Sequence, residues 1–144
     1  MREARSPGLG TVLALVLVLV WPAGSAGAAI GSPELKLHAL VNDARWVQGL
    51  GTLSVRDRLS RIAERHTRRM ADRRVLFHSD LGETLPGASA GEVVGYGTSV
   101  DAVFTELMAS GSHRDILLGT AWLKTGVGVV RHGGRVWVTQ IVRD

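Results

Sequence analysis

The C-terminal part of the chain has the pattern of a β-hairpin, which restricts the folds available to the whole domain. Two runs rich in β-branched residues, 127–130 and 136–142, flank His132-Gly133-Gly134. A glycine pair between two such runs is typical of a tight hairpin turn, because glycine adopts positive φ angles at little cost. Helical patterns precede this hairpin, so the sequence predicts a layered domain that combines helices with an antiparallel sheet.

Three segments ahead of the hairpin carry apolar residues at helical spacing. The first begins at Ser32-Pro33-Glu34, where a capping hydroxyl precedes a proline at the first helical position. The second has Ser54 and Asp57 as a predicted capping pair. The predicted helices run from Ser32 to Gly49, from about Val55 to Arg74 and from Ser99 to Gly111-Ser112, with a short helical turn from His113 to near Leu118. Residues 75–91 predict a loop, and Glu92-Val93-Val94 predicts a short strand.

The N-terminus is typical of an export signal. Arg2 and Arg5 precede an apolar run from Leu9 to Trp21, and helix breakers and small residues follow it. We therefore interpret residues 1–28 as a signal peptide and residues 29–144 as a single domain. An uncleaved membrane anchor is the alternative, although the run is shorter than the roughly 20 residues that span a bilayer. We expect a secreted protein, extracellular or associated with the cell wall, with no transmembrane segment after signal cleavage.

The composition excludes several classes of chemistry. The chain has no cysteine, so we expect a domain held together by packing, without disulfides, thiolate catalysis or cysteine-ligated zinc. Removal of the signal takes away Arg2, Arg5 and Glu3, which lowers the formal net charge from +4 to +3. A charge this small does not indicate specific nucleic-acid binding.

Positive charge is nevertheless concentrated in one segment. Residues 55–74 contain eight arginines against three acidic residues. One interpretation is a surface that touches anionic wall polymers or lipid headgroups. The other is the solvated face of the second predicted helix.

Two histidines and one glutamate are the candidates for a polar or metal-binding site. His78 lies in the predicted loop, Glu92 opens the predicted strand, and His113 opens the short helical turn. If the three converge, neutral imidazoles and a carboxylate are suitable ligands for zinc or another divalent cation. Structural roles are the alternative: His113 caps its helical turn, His78 is an exposed loop residue, and Glu92 accepts backbone hydrogen bonds or pairs with Arg114. His66 lies in the apolar stripe of the second helix, where a core histidine is expected.

The order of several short motifs resembles the CAP superfamily, which groups cysteine-rich secretory proteins, antigen 5 and plant pathogenesis-related 1 proteins. The motifs include Val41-Asn42-Asp43-Ala44-Arg45, Phe77-His78-Ser79, Gly91-Glu92, Gly126-Val127-Gly128-Val129 and Trp137-Val138-Thr139-Gln140. The resemblance extends over essentially all of residues 29–144. It is greatest to the bacterial SCP-like extracellular domain of the compact, cysteine-free actinobacterial type.

This resemblance implies both a fold and a site. The fold is of the α+β class, a three-layer α-β-α sandwich with a small antiparallel sheet. The implied cleft is lined by two histidines and two glutamates, and motif matching places His78, His113 and the first glutamate, Glu92, in it. In related proteins the paired histidines can bind zinc or another divalent cation, with the glutamates beside them.

The sequence departs from the family pattern around both glutamates. Ser110 stands at the position of the second glutamate, and Glu106, one helical turn earlier, is expected at the surface. Val93 follows Glu92 where the family has an asparagine, so an amide able to hydrogen-bond inside the cleft is missing. The resemblance therefore implies a reduced His-Glu-His cleft.

Three functions agree with these patterns. The favoured one is an extracellular binding module, whose groove holds a lipid, a cell-wall fragment or a peptide with His78, Glu92 and His113 at its polar end. The second is a metal-dependent extracellular hydrolase in which Glu92 is the base for a metal-bound water. This enzyme hypothesis is weaker, because no scissile bond is indicated and no serine or cysteine nucleophile motif is visible. The third is a structural secreted domain with a vestigial site.

Overall fold

The structure, a computed structural model, describes residues 32–144. The predicted signal peptide of residues 1–28 lies outside the described residues. The described part forms α1 (Pro33–Val47), β1 (Ser54–Val55), α2 (Asp57–Arg73), α3 (Leu81–Thr84), β2 (Ala90–Gly97), α4 (Val100–Ala109), α5 (Gly111–Leu117), β3 (Lys124–His132) and β4 (Arg135–Arg143). None of these helices is long and apolar enough to cross a membrane.

The strands form one four-stranded sheet in the order β1-β3-β4-β2. Strand β4 pairs antiparallel with β3 on one side and with β2 on the other, whereas the two-residue β1 runs parallel to the start of β3. The turn between β3 and β4 has Gly133 at φ 59° and Gly134 at φ 74°. Positive φ at both turn residues confirms the predicted glycine hairpin. In the described part of the chain, β2 pairs with β4 alone and is therefore an outer strand of the sheet.

Helix α2 lies directly on one face of the sheet because β3 has glycine where the helix crosses it. A Cβ atom on Gly126 would lie 2.1 Å from the carbonyl carbon of Leu59, and one on Gly128 would lie 2.4 Å from the backbone nitrogen of Glu64. Only glycine allows two backbones to approach this closely. The predicted apolar stripe of α2 runs from Val55 through Leu59, Ile62, Ala63 and His66 to Met70. All of these residues except Val55 are on the buried side of the helix; Val55 lies in β1 and is exposed.

Helices α1, α4 and α5 cover the opposite face. Their buried residues, among them Leu37, Val103 and Leu117, form one core cluster with valines of the sheet. Two helix starts have the predicted hydroxyl caps, because Ser32 and Ser99 each accept a hydrogen bond from the backbone N–H three residues later. The sheet is thus enclosed between α2 and three other helices, which confirms the three-layer α-β-α sandwich.

A buried arginine joins α1 to the segment that follows α5. Arg45 is 1% exposed. Its guanidinium donates to the carbonyl oxygens of Gly51 and Leu117 at 2.8 Å and of Gly119 at 2.9 Å. Desolvation by burial lowers the pKa of Arg45 from its ordinary value. The carbonyl oxygens replace the water that the buried guanidinium loses.

Several predicted boundaries are wrong. Ser54 and Val55 belong to β1 and not to α2, because the N–H groups of Ser54 and Arg56 donate to carbonyl oxygens of Leu123 and Thr125. Helix α2 therefore begins at residue 57 without a side-chain cap, and the predicted capping pair is not formed. The predicted loop of residues 75–91 also contains the short helix α3, and α5 begins two residues before His113.

Candidate functional site

Glu92 is a buried carboxylate on the outer strand β2. It is 5% exposed. It faces α2, as does Val94, because residues two apart in a strand lie on the same face. Val93 is fully buried on the other face, in the core shared with α1 and α4. The side chain of Val93 therefore belongs to the core and makes no contact with the Glu92 carboxylate on the α2 face.

The segment that follows α2 supplies three hydrogen bonds to this carboxylate. Oε1 of Glu92 accepts from the backbone N–H of Ser79 at 2.8 Å and lies 2.9 Å from Nδ1 of His78. Oε2 accepts from the hydroxyl of Ser79 at 2.5 Å. Both oxygens of Glu92 are thus engaged, and two of the three bonds come from Ser79, a residue for which the sequence patterns indicate no role. Its one signal is its place directly after His78 in the Phe77-His78-Ser79 motif.

The bond to Glu92 orients His78. An ionised carboxylate only accepts hydrogen bonds, so the hydrogen of this bond lies on Nδ1 of His78. The unprotonated Nε2 atom of the neutral ring is then left for another partner. The side chain of His78 is 59% exposed, which makes this nitrogen accessible. A carboxylate behind a histidine is the arrangement that commonly positions a ligand-binding imidazole.

His66 lies behind the His78–Glu92 pair, in the interior of the protein. It is fully buried, with Nε2 at 2.6 Å from the carbonyl oxygen of Phe77 and Nδ1 at 3.3 Å from the guanidinium of Arg69. A guanidinium only donates, so Nδ1 accepts and the Nε2–H donates to Phe77. The ring also meets the Phe77 ring edge-on at 5.0 Å. His66 is the expected core histidine, but it also holds the residue before His78 and lies 4.0 Å from Glu92.

His113 lies in a groove that adjoins this pair. The groove has a volume of about 320 Å³ and a mostly apolar lining, which includes Leu76, Val94, Glu106, Leu107, Ser110 and His113. Leu76 and Val94 stand two residues away from His78 and Glu92 respectively, although neither His78 nor Glu92 is part of the lining. Glu106 is exposed as expected, yet it lines the same groove as His113.

The structure brings His78 and Glu92 together, but no hydrogen bond or ion pair between described residues joins His113 to them. The alternative pairing of Glu92 with Arg114 does not occur either. Nowhere in residues 32–144 are three or more His, Asp or Glu side chains grouped so as to hold a metal ion. Because both oxygens of Glu92 already accept hydrogen bonds, the atoms left to bind a metal ion are Nε2 of His78 and a ring nitrogen of His113. These are fewer than the three or four protein ligands of an ordinary zinc site, and metal binding stays a prediction.

The described residues thus form an α-β-α sandwich with a histidine–glutamate pair and a groove along the outer strand of its sheet. The family model described as CAP, the Cysteine-rich secretory protein family, matches residues 38–142, which is more than half of the chain. The chain therefore belongs to the CAP family of cysteine-rich secretory proteins.

Solved structures agree with this fold. An outer surface protein from Borrelia burgdorferi is 16% identical with a TM-score of 0.69, over 78% of this chain and 92% of its own. A cysteine-rich secretory protein from Staphylococcus aureus is 24% identical with a TM-score of 0.67, over 77% of this chain and 38% of its own. An extracellular protein with an SCP domain from Bacillus anthracis is 22% identical with a TM-score of 0.68, over 77% of this chain and 40% of its own.

At these identities the likeness establishes the fold alone. The chain spans about two fifths of the length of the Staphylococcus and Bacillus proteins. No curated protein matches the sequence at a significant level.

Proposed function

We propose that this CAP-family protein is an extracellular binding module whose ligand lies along strand β2. The observation that carries the proposal is the groove of about 320 Å³ beside the hydrogen-bonded His78–Glu92 pair. A mostly apolar lining with a few polar groups suits a ligand that has an apolar body and a polar end. A lipid, a cell-wall fragment and a peptide are the candidate ligands. Export rests on the N-terminal pattern of residues 1–28 together with family membership.

His78 and His113 form the polar end of this proposed site. Glu92 keeps His78 in one orientation, with Nε2 directed away from the carboxylate. Zinc or another divalent cation would be held by the two imidazoles, with the remaining positions filled by water or by the ligand. Glu92 then acts through His78 and is not itself a free ligand, because its oxygens accept bonds from His78 and Ser79.

Two neighbouring substitutions test the groove. Leu76 lines it and is 39% exposed, whereas the adjacent Val75 is 56% exposed and is not part of the lining. The protein purified without detergent is expected to carry extractable lipid, measured by mass spectrometry. Leu76→Glu should remove that lipid because it places a charge against an apolar ligand, and the matched control Val75→Glu should retain it. Equal lipid in both variants would exclude the groove as the binding site.

Melting temperatures test the polar end. A cation that binds the folded protein more tightly than the unfolded chain raises its melting temperature. Zn²⁺ should therefore raise the melting temperature of the wild-type protein, and His78→Ala and His113→Ala should each reduce this shift. His132→Ala, at the end of β3, is the control and should leave the shift intact. A shift that survives in both cleft variants would end the metal proposal for this site.

Activity separates the binding module from the other two functions. Metal-dependent turnover of peptides, esters or wall fragments that disappears in Glu92→Gln would favour the hydrolase. If the wild-type protein binds none of the three ligand classes and no cation, the structural domain with a vestigial site is the remaining function.

A further inference from the structure

A second depression lies between the end of α2, the outer strand β2 and the β3–β4 turn. Its volume is about 380 Å³, and it is lined by Arg74, Tyr96, His132, Gly133, Arg135 and Trp137. The lining contains two arginines, one histidine and two aromatic rings, and it contains no acidic side chain. This depression shares only Tyr96 with the groove that contains His113.

The aromatic residues give the depression a fixed floor. The Trp137 ring is buried at 4% exposure and lies 4.9 Å from the Tyr96 ring at an angle of 30°. The Trp137 indole N–H donates to the carbonyl oxygen of His132, which ties the floor to the turn. The guanidinium carbon of Arg135 lies over the Tyr96 ring at 4.7 Å from its centre. Stacking on a ring restricts a guanidinium without occupying its N–H donors.

The second arginine is placed by the end of α2. Arg74 is the C-terminal cap of the helix, with φ 56°, and its backbone N–H donates to the carbonyl oxygens of Met70 and Ala71. This left-handed conformation favours glycine, and an arginine adopts it at a cost in backbone energy. A glycine at position 74 would therefore give a more stable protein, yet the chain has a cationic side chain there.

Within residues 32–144, neither Arg74 nor Arg135 forms an ion pair with a carboxylate. Both side chains are exposed, so their donors face solvent within the depression. Two unpaired guanidinium groups in one concave site match the charge and the several acceptor oxygens of a phosphate group, which arginine binds in a bidentate manner.

We propose that this depression binds a phosphate group, held between Arg74 and Arg135 over the aromatic floor. The inference does not depend on the cleft at His78 and Glu92. Two kinds of molecule supply such a phosphate group. One is a phosphate ester outside a membrane, such as that of a wall polymer, and the other is the headgroup of an anionic lipid.

Binding is measured by calorimetric titration of the purified full chain with glycerophosphate, and by sedimentation with phosphatidylglycerol vesicles against phosphatidylcholine vesicles. We expect saturable binding of glycerophosphate or of the anionic vesicles. Binding to both probes assigns the site to phosphate esters in general, and binding to the vesicles alone assigns it to the lipid headgroup.

Two variants remove one arginine each. Arg135→Gln and Arg74→Gly should each weaken binding by about tenfold or more, because each removes charge-assisted hydrogen bonds. Arg74→Gly should also keep or raise the melting temperature, since glycine adopts the left-handed conformation without the cost that arginine bears. Loss of binding in a variant that is at least as stable as wild type cannot come from misfolding.

The matched control is Arg58→Gln, which removes the same charge from an exposed position on α2 outside the depression. It should change the affinity by less than about twofold. An equal loss in Arg58→Gln and Arg135→Gln would show attraction to overall positive charge and would overturn the proposal. The absence of saturable binding to either probe would overturn it as well.

Discussion

Nδ1 of His78 lies 2.9 Å from Oε1 of Glu92, and the same oxygen accepts the backbone N–H of Ser79. One buried carboxylate therefore holds two consecutive residues of the segment after α2 against strand β2. Glu92 therefore has a structural effect in addition to its proposed role in ligand binding.

Substitution of Glu92 should reveal this structural effect. Glu92→Leu leaves the N–H and hydroxyl of Ser79 without their acceptor, and we expect a loss of about 2–3 kcal/mol in the free energy of unfolding. Glu92→Gln keeps one acceptor oxygen and should cost about 1 kcal/mol. Urea denaturation measures both values. A smaller loss in Glu92→Leu than in Glu92→Gln would contradict the hydrogen-bonding scheme.

The tautomer of His78 is a second consequence of the same contact. In the neutral ring, the hydrogen should be on Nδ1, because Glu92 is an acceptor. Nitrogen NMR of the imidazole at alkaline pH distinguishes the two tautomers. In Glu92→Leu the preference for the Nδ1–H form should disappear, while His66, held by Phe77 and Arg69, should retain its Nε2–H form as the internal control.

Arg45 should be among the most sensitive positions in the core. Arg45→Leu fills part of the same space but leaves the carbonyl oxygens of Gly51, Leu117 and Gly119 without their donor. We expect a loss of at least about 3 kcal/mol in the free energy of unfolding. Arg45→Lys, which keeps the charge but not the fork of donors, should fall between wild type and Arg45→Leu in thermal or urea denaturation. A wild-type midpoint for Arg45→Leu would contradict this bracing role.

Gly128 should not tolerate a methyl group. Gly128→Ala would place a Cβ atom 2.4 Å from the backbone nitrogen of Glu64, so α2 must move away from β3. We expect a loss of about 3 kcal/mol or more, measured by urea denaturation. Gly111→Ala is the control, because a Cβ atom there meets nothing within 4 Å. If both variants unfold at the wild-type midpoint, α2 does not cross β3 at this glycine.

The ion pair between α1 and α4 should give a small, pH-dependent contribution to stability. The hydrogen bond from Lys36 lowers the pKa of Asp101 below its ordinary value. A carboxyl group with a lowered folded-state pKa stabilises the protein above its unfolded-state pKa, and this contribution is lost as the pH falls through the folded-state pKa. Asp101→Asn should therefore melt slightly below wild type at neutral pH and together with it in acid. The control Asp43→Asn, at an exposed position on α1, should have the wild-type melting temperature at both neutral and acid pH.

Local patterns in the sequence were sufficient for the secondary structure that depends on local interactions. The glycine pair at residues 133–134 predicts the hairpin, and Ser32 and Ser99 predict two helix starts, because turns and caps involve residues close in sequence. The apolar stripe of α2 predicts its buried side for the same reason. Ser54 and Val55 could not be assigned this way, because their conformation depends on backbone hydrogen bonds to the distant strand β3.

The sequence by itself determined the layered α+β class, the family and the residue types available for a site. The tertiary structure alone decided which of these residues meet. It joined His78, Ser79 and Glu92 in one hydrogen-bonded group, with His66 behind it, and placed His113 in the adjoining groove. It also gathered Arg74, Tyr96 and Arg135 from three separate elements. The reason is that such contacts depend on the packing of α2 and the turns against the sheet, and this packing involves residues far apart in the chain.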